Sequence, residues 1–312
     1  MSVRYHIISL ASVFLALAVG IVVGSTSVSQ QLLSMVAGDR HSLTEQVRQL
    51  NTQRAELEAR ERSANAFDAV VGPAVVRGQL EQRRVILLLA PDADPVDRDA
   101  VRQLITQAGG TVTGELALTE AVIDPSKAEA VRDLTTRLLP AGAQLPTTAD
   151  AGGLVGGLLG STLLLRAPDG QPQASADQAG AALAGLMQAG FVHAGPHPAP
   201  AQLAVVLTGG GLTASFSAER AATLARLCTE LRRYASGAVL AGRSGAEGPA
   251  GAVGVIRADT VASTALSTVD GLQTPVGRVA VVLALREQAD GRAGRYGSAS
   301  NAQAPIPGAS VG

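Results

Sequence analysis

The sequence contains little of what most binding sites and disulfide frameworks need. Among its 312 residues there is one cysteine, Cys228, no tryptophan, and only 2% aromatic residues. One cysteine excludes an intrachain disulfide and any thiolate cluster within a single chain. The scarcity of aromatic side chains disfavours aromatic cages and base-stacking platforms. Charged residues make up only 16% and the net charge is −1, so the chain has no surplus of cations for DNA or RNA, and we expect no nucleic-acid partner.

Enzyme motifs are also missing. The sequence has no G-x-S-x-G, no Walker loop and no H-E-x-x-H, which are the local signatures of common hydrolases, ATPases and zinc proteases. We therefore predict that the chain is not an enzyme and holds no resident cofactor.

A long uncharged segment lies near the N-terminus. No Asp, Glu, Lys or Arg occurs between Arg4 and Asp39, and residues 7–23 are almost entirely apolar. A membrane-spanning helix needs roughly 20 such residues. The alternative is a cleaved signal peptide, but the apolar run is long for one and no A-x-A site follows it. The sequence thus predicts an uncleaved anchor over residues 1–30, and Arg4 favours a cytoplasmic N-terminus with the remaining chain outside the cytoplasm.

Small residues form a regular stripe within this predicted span. Ala16, Gly20 and Gly24 are spaced by four, so they lie on one helix face where a second transmembrane helix could approach closely. The alternative is that they are ordinary small residues of an alanine-rich span.

Heptad spacing follows the span, over residues 31–70. The apolar positions are Val36, Leu43, Val47, Leu50 and Leu57, which we call the stalk seam. Leucine and valine at this spacing are typical of a coiled coil, although several first-position residues of the heptads are charged. The segment predicts a helical stalk that joins two or more copies of the chain. A single amphipathic helix folded against the globular domain is the alternative.

Alternating strand and helix signals fill residues 71–290 and predict an α/β fold with a mostly parallel, layered sheet. The predicted strands are 85–90, 111–118, 203–207, 238–241 and 278–285. The predicted helices are 95–107, capped by Asp94 and followed by glycine, then 126–139 and about 217–234. Residues 152–160 are too rich in glycine to predict an element. Residues 291–312 form a glycine-rich tail, and we predict that it is disordered.

Three patterns in this domain could carry chemistry. Gly209, Gly211 and Ala214 match the G-x-G-x-x-A form of a dinucleotide loop, but no acidic residue ends the next strand, so a plain glycine turn is favoured. A group of aspartates follows the first predicted strand and could bind a hard cation, or could cap a helix and complement its dipole. Its members are Asp92, Asp94, Asp97 and Asp99.

Two histidines flank a glycine-proline loop. His193 and His197 could contribute imidazole ligands to a metal ion, and they are the candidate metal residues of the chain. Two ligands do not complete a site, so a solvated pair in a loop is the simpler interpretation.

Taken in order along the chain, the motifs resemble those of the MctB family of actinobacterial copper transporters. These motifs are SLASVFLALAVGIVVGS, FDAVVG, LPAGAQL, VVLTGG, LAGR, IRAD, STVDG and GRVAVVLALRE. The resemblance covers nearly all of the chain up to residue 297. It implies a protein of the cell membrane or envelope that lowers intracellular copper, with copper as a transported ion. It also extends to the related SteB protein, which implies a division-associated scaffold with a membrane protein partner.

Two hypotheses follow. In the first, the chain is a component of copper efflux and homeostasis that acts as a homo-oligomer. In the second, it is a coiled-coil envelope scaffold of the SteB type that acts with a partner in cell division or separation.

Overall fold

The computed structural model describes residues 3–140, 150–167, 169–195, 198–211 and 217–309, and within the first helix it describes the side chains of residues 5–23, 43 and 45–76. That helix, α1, spans Val3–Val76. The chain divides into two units, Met1–Ala64 and Asn65–Gly312. The segment boundaries predicted after residues 30 and 70 stay predictions.

The first unit is helical throughout its described length. Residues 39–62 contain no glycine and no proline. They are rich in Gln, Glu, Arg and Leu, which favour helix. Two ion pairs on its surface support the helix, one between Arg48 and Glu45 at 3.3 Å and one between Arg54 and Glu58 at 2.8 Å. The predicted stalk helix is therefore confirmed as a helix, and its pairing with a second copy stays a prediction.

The second unit alternates strands with helices. Its strands are β1 Arg84–Leu89, β2 Thr111–Leu118, β3 Val192–Ala194, β4 Leu203–Thr208, β5 Gly237–Gly242, β6 Ser267–Val269 and β7 Arg295–Tyr296. Its further helices are α2 Pro95–Gln107, α3 Glu120–Ile123, α4 Ala128–Leu138, α5 Ala151–Leu163, α6 Ala176–Gln188, α7 Ser217–Tyr234, α8 Ala252–Ala258, α9 Thr260–Ala265 and α10 Pro275–Ala289, with a short 3₁₀ turn over Pro125–Lys127.

One sheet joins all seven strands, in the order β3-β2-β1-β4-β5-β6-β7. The edge strand β3 is antiparallel to β2, and every other pair is parallel. The prediction of a mostly parallel α/β sheet is confirmed. Because the chain moves outward from β1 in one direction and from β4 in the other, the strand order reverses between these two strands, where open α/β sheets usually place ligands.

The sheet separates two apolar cores. Alternate side chains of one strand point to opposite faces, so Ile86 and Leu88 belong to one core while Val85 and Leu87 belong to the other. The first core also takes apolar residues from α3 to α9, and the second is covered by α2, α10 and the last turn of α1. This is a three-layer arrangement in which both faces of the sheet are buried, as parallel sheets require.

The helix after β1 begins and ends where the sequence predicts. The side chain of Asp94 accepts a hydrogen bond from the Val96 amide at 2.7 Å, and Pro95 occupies the first helical position. Gly109 follows the helix with a φ of +84°, a left-handed conformation that glycine adopts without a steric penalty.

The prediction of a strand over residues 278–285 is wrong, because these residues lie in helix α10. The misleading feature is a run of buried branched residues, and a short apolar run does not distinguish a buried strand from a buried helix. The start signal of the helix was present in the sequence. Thr274 accepts a hydrogen bond from the Gly277 amide at 3.1 Å and Pro275 follows it at the first helical position, a pairing that favours a helix start.

Residues 152–160, for which no element was predicted, lie in the buried helix α5. Gly152, Gly156 and Gly160 are spaced by four and face α7. A Cβ on Gly156 would lie 2.5 Å from the carbonyl oxygen of Leu227, and a Cβ on Gly160 would lie 2.6 Å from the ring of Tyr234. The glycines thus let two helix backbones pack closely, and this gain outweighs the low helix propensity of glycine.

The tail differs from the predicted disorder over its described residues, 291–309. Arg295 and Tyr296 form β7 and extend the sheet beside β6, and Tyr296 and Ala304 are buried in the second core. Composition predicted disorder because the tail is rich in glycine. The tail is ordered instead by pairing of β7 with β6 and by hydrogen bonds to Asp270, which follows β6.

Candidate functional site

Helix α1 contains one segment that is long and apolar enough to cross a membrane. It runs over Tyr5–Val23, and its large side chains, such as Phe14 and Leu17, are exposed in the chain. The hydroxyl of Ser12 donates to the Ile8 carbonyl oxygen at 2.9 Å, so this polar group is satisfied within the helix, as hydrocarbon surroundings require. The segment supports the predicted membrane anchor.

The small-residue stripe lies in the same helix. Ala16 and Gly20 are exposed, and no atom lies within 4 Å of the place where a Cβ on Gly20 would stand. Gly24 continues the spacing, but its surroundings lie outside the described side chains. Pairing of spans through this stripe stays a prediction.

The stalk seam is exposed wherever its side chains are described. Leu43, Val47, Leu50 and Leu57 retain 58%, 55%, 63% and 63% of their accessible surface. Val36 lies outside the described side chains. Four aliphatic residues at coiled-coil spacing therefore form a continuous apolar face that this unit does not bury against itself.

The four aspartates after β1 serve other groups of the domain. Asp94 caps α2, and Asp92 accepts a hydrogen bond from the Thr208 hydroxyl at 2.9 Å. Asp99 pairs with Arg98 and Arg102. These contacts favour the predicted capping and helix-dipole roles over a cation site. Within the described ranges, no group of three or more His, Cys, Asp or Glu residues could hold a metal ion.

Asp97 binds two arginines from distant parts of the chain, which the sequence does not indicate. Its carboxylate is 1% exposed and accepts a hydrogen bond from Arg243 Nε at 2.6 Å and another from Arg278 Nη2 at 2.8 Å. The partners lie 146 and 181 residues away in the chain. This network joins α2 to the loop after β5 and to the first turn of α10, and only the fold brings its members together.

Close backbone packing explains the glycine-rich turn after β4. A Cβ on Gly209 would lie 2.6 Å from the Asp92 carbonyl oxygen, and a Cβ on Gly211 would lie 2.9 Å from that of Gly245. The loops after β1 and β5 thus occupy the space beside these glycines. Ala214 lies outside the described residues. The interpretation as a glycine turn is favoured, because the glycines permit close approach of neighbouring loops.

The histidine pair is only partly described. His193 is exposed in the middle of the edge strand β3, opposite Ala117 of β2. His197 lies outside the described residues. The structure therefore neither joins nor separates these two candidate ligands.

A buried ion pair at the far end of the sheet was not predicted. Arg257 and Asp270, 1% and 2% exposed in their side chains, lie 2.7 Å apart. The second oxygen of Asp270 accepts the amide of Ser298 at 2.8 Å, and Arg257 Nη2 donates to the carbonyl oxygen of Tyr296 at 2.7 Å. The pair thus fixes the C-terminal tail to β6. Gly297, with a φ of +134°, allows the tail to pass directly against the Asp270 carboxylate.

Two titratable groups on α7 are altered by burial. Burial raises the pKa of the Cys228 thiol far above its ordinary value, so the sole cysteine is an inert core residue. Burial also raises the pKa of the Glu230 carboxyl, an effect that the guanidinium of Arg233 opposes. Glu230 lies beside Gly156 of α5. Both side chains are buried in the domain, and we assign them no chemistry.

Comparison with known proteins decides the family. The sequence model of the family described as "Copper transport outer membrane protein, MctB" matches residues 1–307. The chain belongs to the MctB family. The match covers both the candidate membrane span and the α/β domain, so the resemblance predicted from the ordered motifs is confirmed.

Relatives in the MctB family are similar over their whole length. A protein named "Copper transporter MctB" from Mycobacterium tuberculosis is 37% identical over 306 residues, which cover 96% of this chain and 97% of the relative. The protein of the same name from Mycobacterium leprae is 37% identical over 304 residues, covering 95% and 96%. These relatives are named as transporters rather than enzymes.

Proposed function

We propose that this chain is a membrane-anchored component of copper efflux that works as a homo-oligomer in the cell envelope. The observation that carries the proposal is the match to the MctB family over residues 1–307, together with relatives named copper transporters that are 37% identical along almost their full length. Neither a catalytic site nor a cofactor is part of this proposal.

The proposed topology places the N-terminus in the cytoplasm and the α/β domain outside it. Arg4 precedes a span that begins at Tyr5, and positive charge favours the cytoplasmic side. The topology is tested in intact cells with an impermeant thiol reagent, using single cysteines introduced by Ser2→Cys and Ala59→Cys. Labelling of Ala59→Cys alone supports it, and labelling of Ser2→Cys alone overturns it.

Transport requires more than one copy of this chain. A single spanning helix cannot enclose an aqueous path, and one candidate span is found in the described part of the chain. Several spans must therefore surround the path, and the stripe of Ala16, Gly20 and Gly24 offers a surface for close packing between them. Copper is the cargo in this proposal, bound only in passage.

The decisive experiment measures cell copper. A strain that lacks the gene is grown under copper load and compared with strains that carry the full-length gene or a version without residues 1–30. We expect copper to rise in the deletion strain and to return to normal only with the full-length gene. Unchanged copper in the deletion strain would sink the efflux proposal.

His193 and His197 are proposed as the first residues to test as copper contacts. The exposure of His193 on an edge strand supports this choice because the imidazole is accessible. A double His193→Ala/His197→Ala variant should leave cell copper elevated if these residues take part in the path. Normal copper in that variant would remove them from it.

A second candidate function is favoured by the exposed stalk seam. A long helix with an unpaired apolar face suits an envelope scaffold that docks a membrane protein partner during cell division or separation. Chain separation and septum shape in the deletion strain test this function. Defects there with normal cell copper would support the scaffold and replace the transport proposal.

A further inference from the structure

A cavity of about 600 Å³ lies between helix α6, the end of α5 and two short segments, residues 172–175 and 198–200. Its volume falls in the range of sites that hold a small organic molecule, roughly 300–1,000 Å³. Because separate segments of the chain enclose it, a ligand there would contact protein on several sides. Its size and shape therefore make it a candidate binding site.

The lining of this cavity is apolar. Most of its residues are alanine or proline, including Pro172, Ala176, Ala179, Pro198 and Pro200. Among the described residues that line it, none is charged and none is aromatic. The cavity thus offers a ligand neither an ion pair nor a ring to stack on. The contact that it can make is the burial of an aliphatic group.

The hydroxyl groups of the lining are already bonded within the fold. Thr162 donates to a carbonyl oxygen of its own helix at 2.8 Å, and Ser175 accepts from a backbone amide of α6 at 3.2 Å. A ligand with several polar groups would leave some of them unpaired, which weakens binding. The one charged residue within 172–183 is Asp177, and its negative charge disfavours an anionic ligand.

The walls of the cavity are tied to the rest of the domain. A Cβ on Gly114 would lie 2.5 Å from Pro198, so Pro198 packs directly on β2. The Ala199 amide donates to a carbonyl oxygen of β2 at 3.1 Å. On the other side, the Gln173 side chain donates to carbonyl oxygens at the ends of α5 and α7, at 3.1 and 3.2 Å. These contacts form the walls before any ligand binds, which lowers the entropic cost of binding.

Gly180 keeps space open on the α6 side of the cavity. Within the described chain, no atom lies within 4 Å of the place where a Cβ on Gly180 would stand. Packing explains Gly185 on the same helix, because a Cβ there would lie 2.7 Å from Leu138. Gly180 has no such neighbour, although glycine weakens a helix relative to alanine. The missing side chain instead leaves room beside Ala176 and Leu183, which also line the cavity.

We infer that this cavity binds an uncharged aliphatic chain, such as the alkyl chain of a fatty alcohol or the acyl chain of a lipid. Apolar burial supplies the affinity, and the absence of a cation in the described lining selects against fatty-acid anions. The inference goes beyond copper efflux and does not rest on it. The described lining contains no His, Cys or Met, the side chains that selective copper sites use.

Photoaffinity labelling of the full-length protein in its membrane tests the inference, with a diazirine analogue of 1-decanol as the probe. Trypsin releases residues 167–220, which contain the lining except for Thr162, and residues 5–40, which contain the candidate span. We expect label on both peptides. Excess 1-decanol should lower the label on 167–220 several-fold relative to that on 5–40. Equal competition by sodium decanoate would overturn the selection against anions.

Cavity-filling variants locate the labelled site. Gly180→Leu and Ala176→Leu place a large side chain in the cavity and should each lower the label on residues 167–220 several-fold. Ala181→Leu is the matched control, because Ala181 is exposed on the same helix and lies outside the lining. Urea unfolding shows whether each variant is folded. Equal labelling in all three variants would overturn the inference, and so would an unlabelled 167–220 peptide in the wild type.

A second probe separates the two sources of an aliphatic chain. A phosphatidylcholine that carries the diazirine in its acyl chain should label residues 167–220 if a bilayer lipid fills the cavity. Labelling by the decanol analogue alone would assign the cavity to a free aliphatic molecule, and either result supports the inference. Neither result depends on cell copper, so unchanged copper in the deletion strain would remove the efflux proposal and leave this inference standing.

Discussion

The two units of the chain use apolar residues in opposite ways. In Asn65–Gly312, leucines such as Leu88 and Leu158 are fully buried in two cores on either side of one sheet. In Met1–Ala64, leucines such as Leu17 and Leu50 are about 60% exposed. Contiguous exposed apolar patches on proteins mark sites of contact with other molecules. The difference teaches that the α/β unit buries its apolar residues within its own fold, whereas the described apolar side chains of the N-terminal unit remain exposed.

The largest effect is expected where the α/β unit buries charge. Asp270→Ala leaves Arg257, which is 1% exposed in its side chain, without its carboxylate, and it releases the amides of the tail. Removing one partner of a buried pair costs about 3–5 kcal/mol. Urea unfolding of the detergent-solubilised protein, followed by pulsed labelling of the buried Cys228, measures this loss.

The control is Glu129→Ala, which removes a carboxylate that pairs with Arg132 on the surface of α4 and is 81% exposed. Exposed pairs contribute about 0–1 kcal/mol. Equal losses in the two variants would show that the buried network does not stabilise the fold.

The comparison between the units is tested directly by one substitution made in each. Leu158→Ala empties a fully buried site in α5 and should lower the free energy of unfolding of the α/β unit by about 2–5 kcal/mol. Leu50→Ala should change it by less than about 0.5 kcal/mol, because the Leu50 side chain is 63% exposed and belongs to neither core of the sheet. The same Cys228 labelling experiment measures both, and a loss above that limit in Leu50→Ala would mean that the units are not independent.

Matched glycine substitutions test the close packing of α5 on α7. Gly156→Ala places a methyl group 2.5 Å from the Leu227 carbonyl oxygen and should destabilise the domain by about 1–3 kcal/mol. Gly180→Ala on α6 meets no atom within 4 Å and should stabilise it by about 0.5–1 kcal/mol through helix propensity. Opposite signs in urea unfolding are expected, and stabilisation by Gly156→Ala would contradict the packing.

Local signals in the sequence predicted the elements that carry them. Asp94 as the cap, the proline after it and the glycines beyond the helix predicted both ends of α2 correctly. The run of branched apolar residues in β4 predicted a buried strand. The helix α5 could not be predicted in this way, because its glycines are explained only by the backbone of α7. The same limit applies to α10, whose apolar run fits either a strand or a helix until its burial on the sheet is known.

The candidate functional features also differ in whether a local sequence pattern could predict them. The apolar span and the heptad spacing are visible in the sequence because each needs only the periodicity of one helix. The pairings of Asp97 with Arg243 and of Asp270 with Arg257 join residues from different elements, so no local pattern contains them. The aspartate group after β1 was recognised, but the distant arginine partners of Asp97 could be found only from the fold.

The smallest predicted effect concerns the pH dependence of the stability of the α/β unit. Burial raises the pKa of the Glu230 carboxyl in the folded protein above its ordinary value, and the charge of Asp150 adds to this, while Arg233 opposes it. A group with a raised folded pKa contributes its full stability below its unfolded pKa and loses that contribution as the pH rises through the folded pKa. The wild type should therefore lose a little stability as the pH rises from the ordinary glutamate range.

Two variants should change the pH dependence of stability in opposite directions. Glu230→Gln stays neutral, so its stability relative to the wild type should increase between pH 4 and pH 7. Arg233→Gln removes the charge that lowers the Glu230 pKa, so its loss over the same range should be steeper than in the wild type. Urea unfolding at several pH values measures both. Parallel pH profiles for the wild type and Glu230→Gln would show that Glu230 is ionised as readily in the folded domain as in the unfolded chain, which would contradict the predicted effect of burial on its pKa.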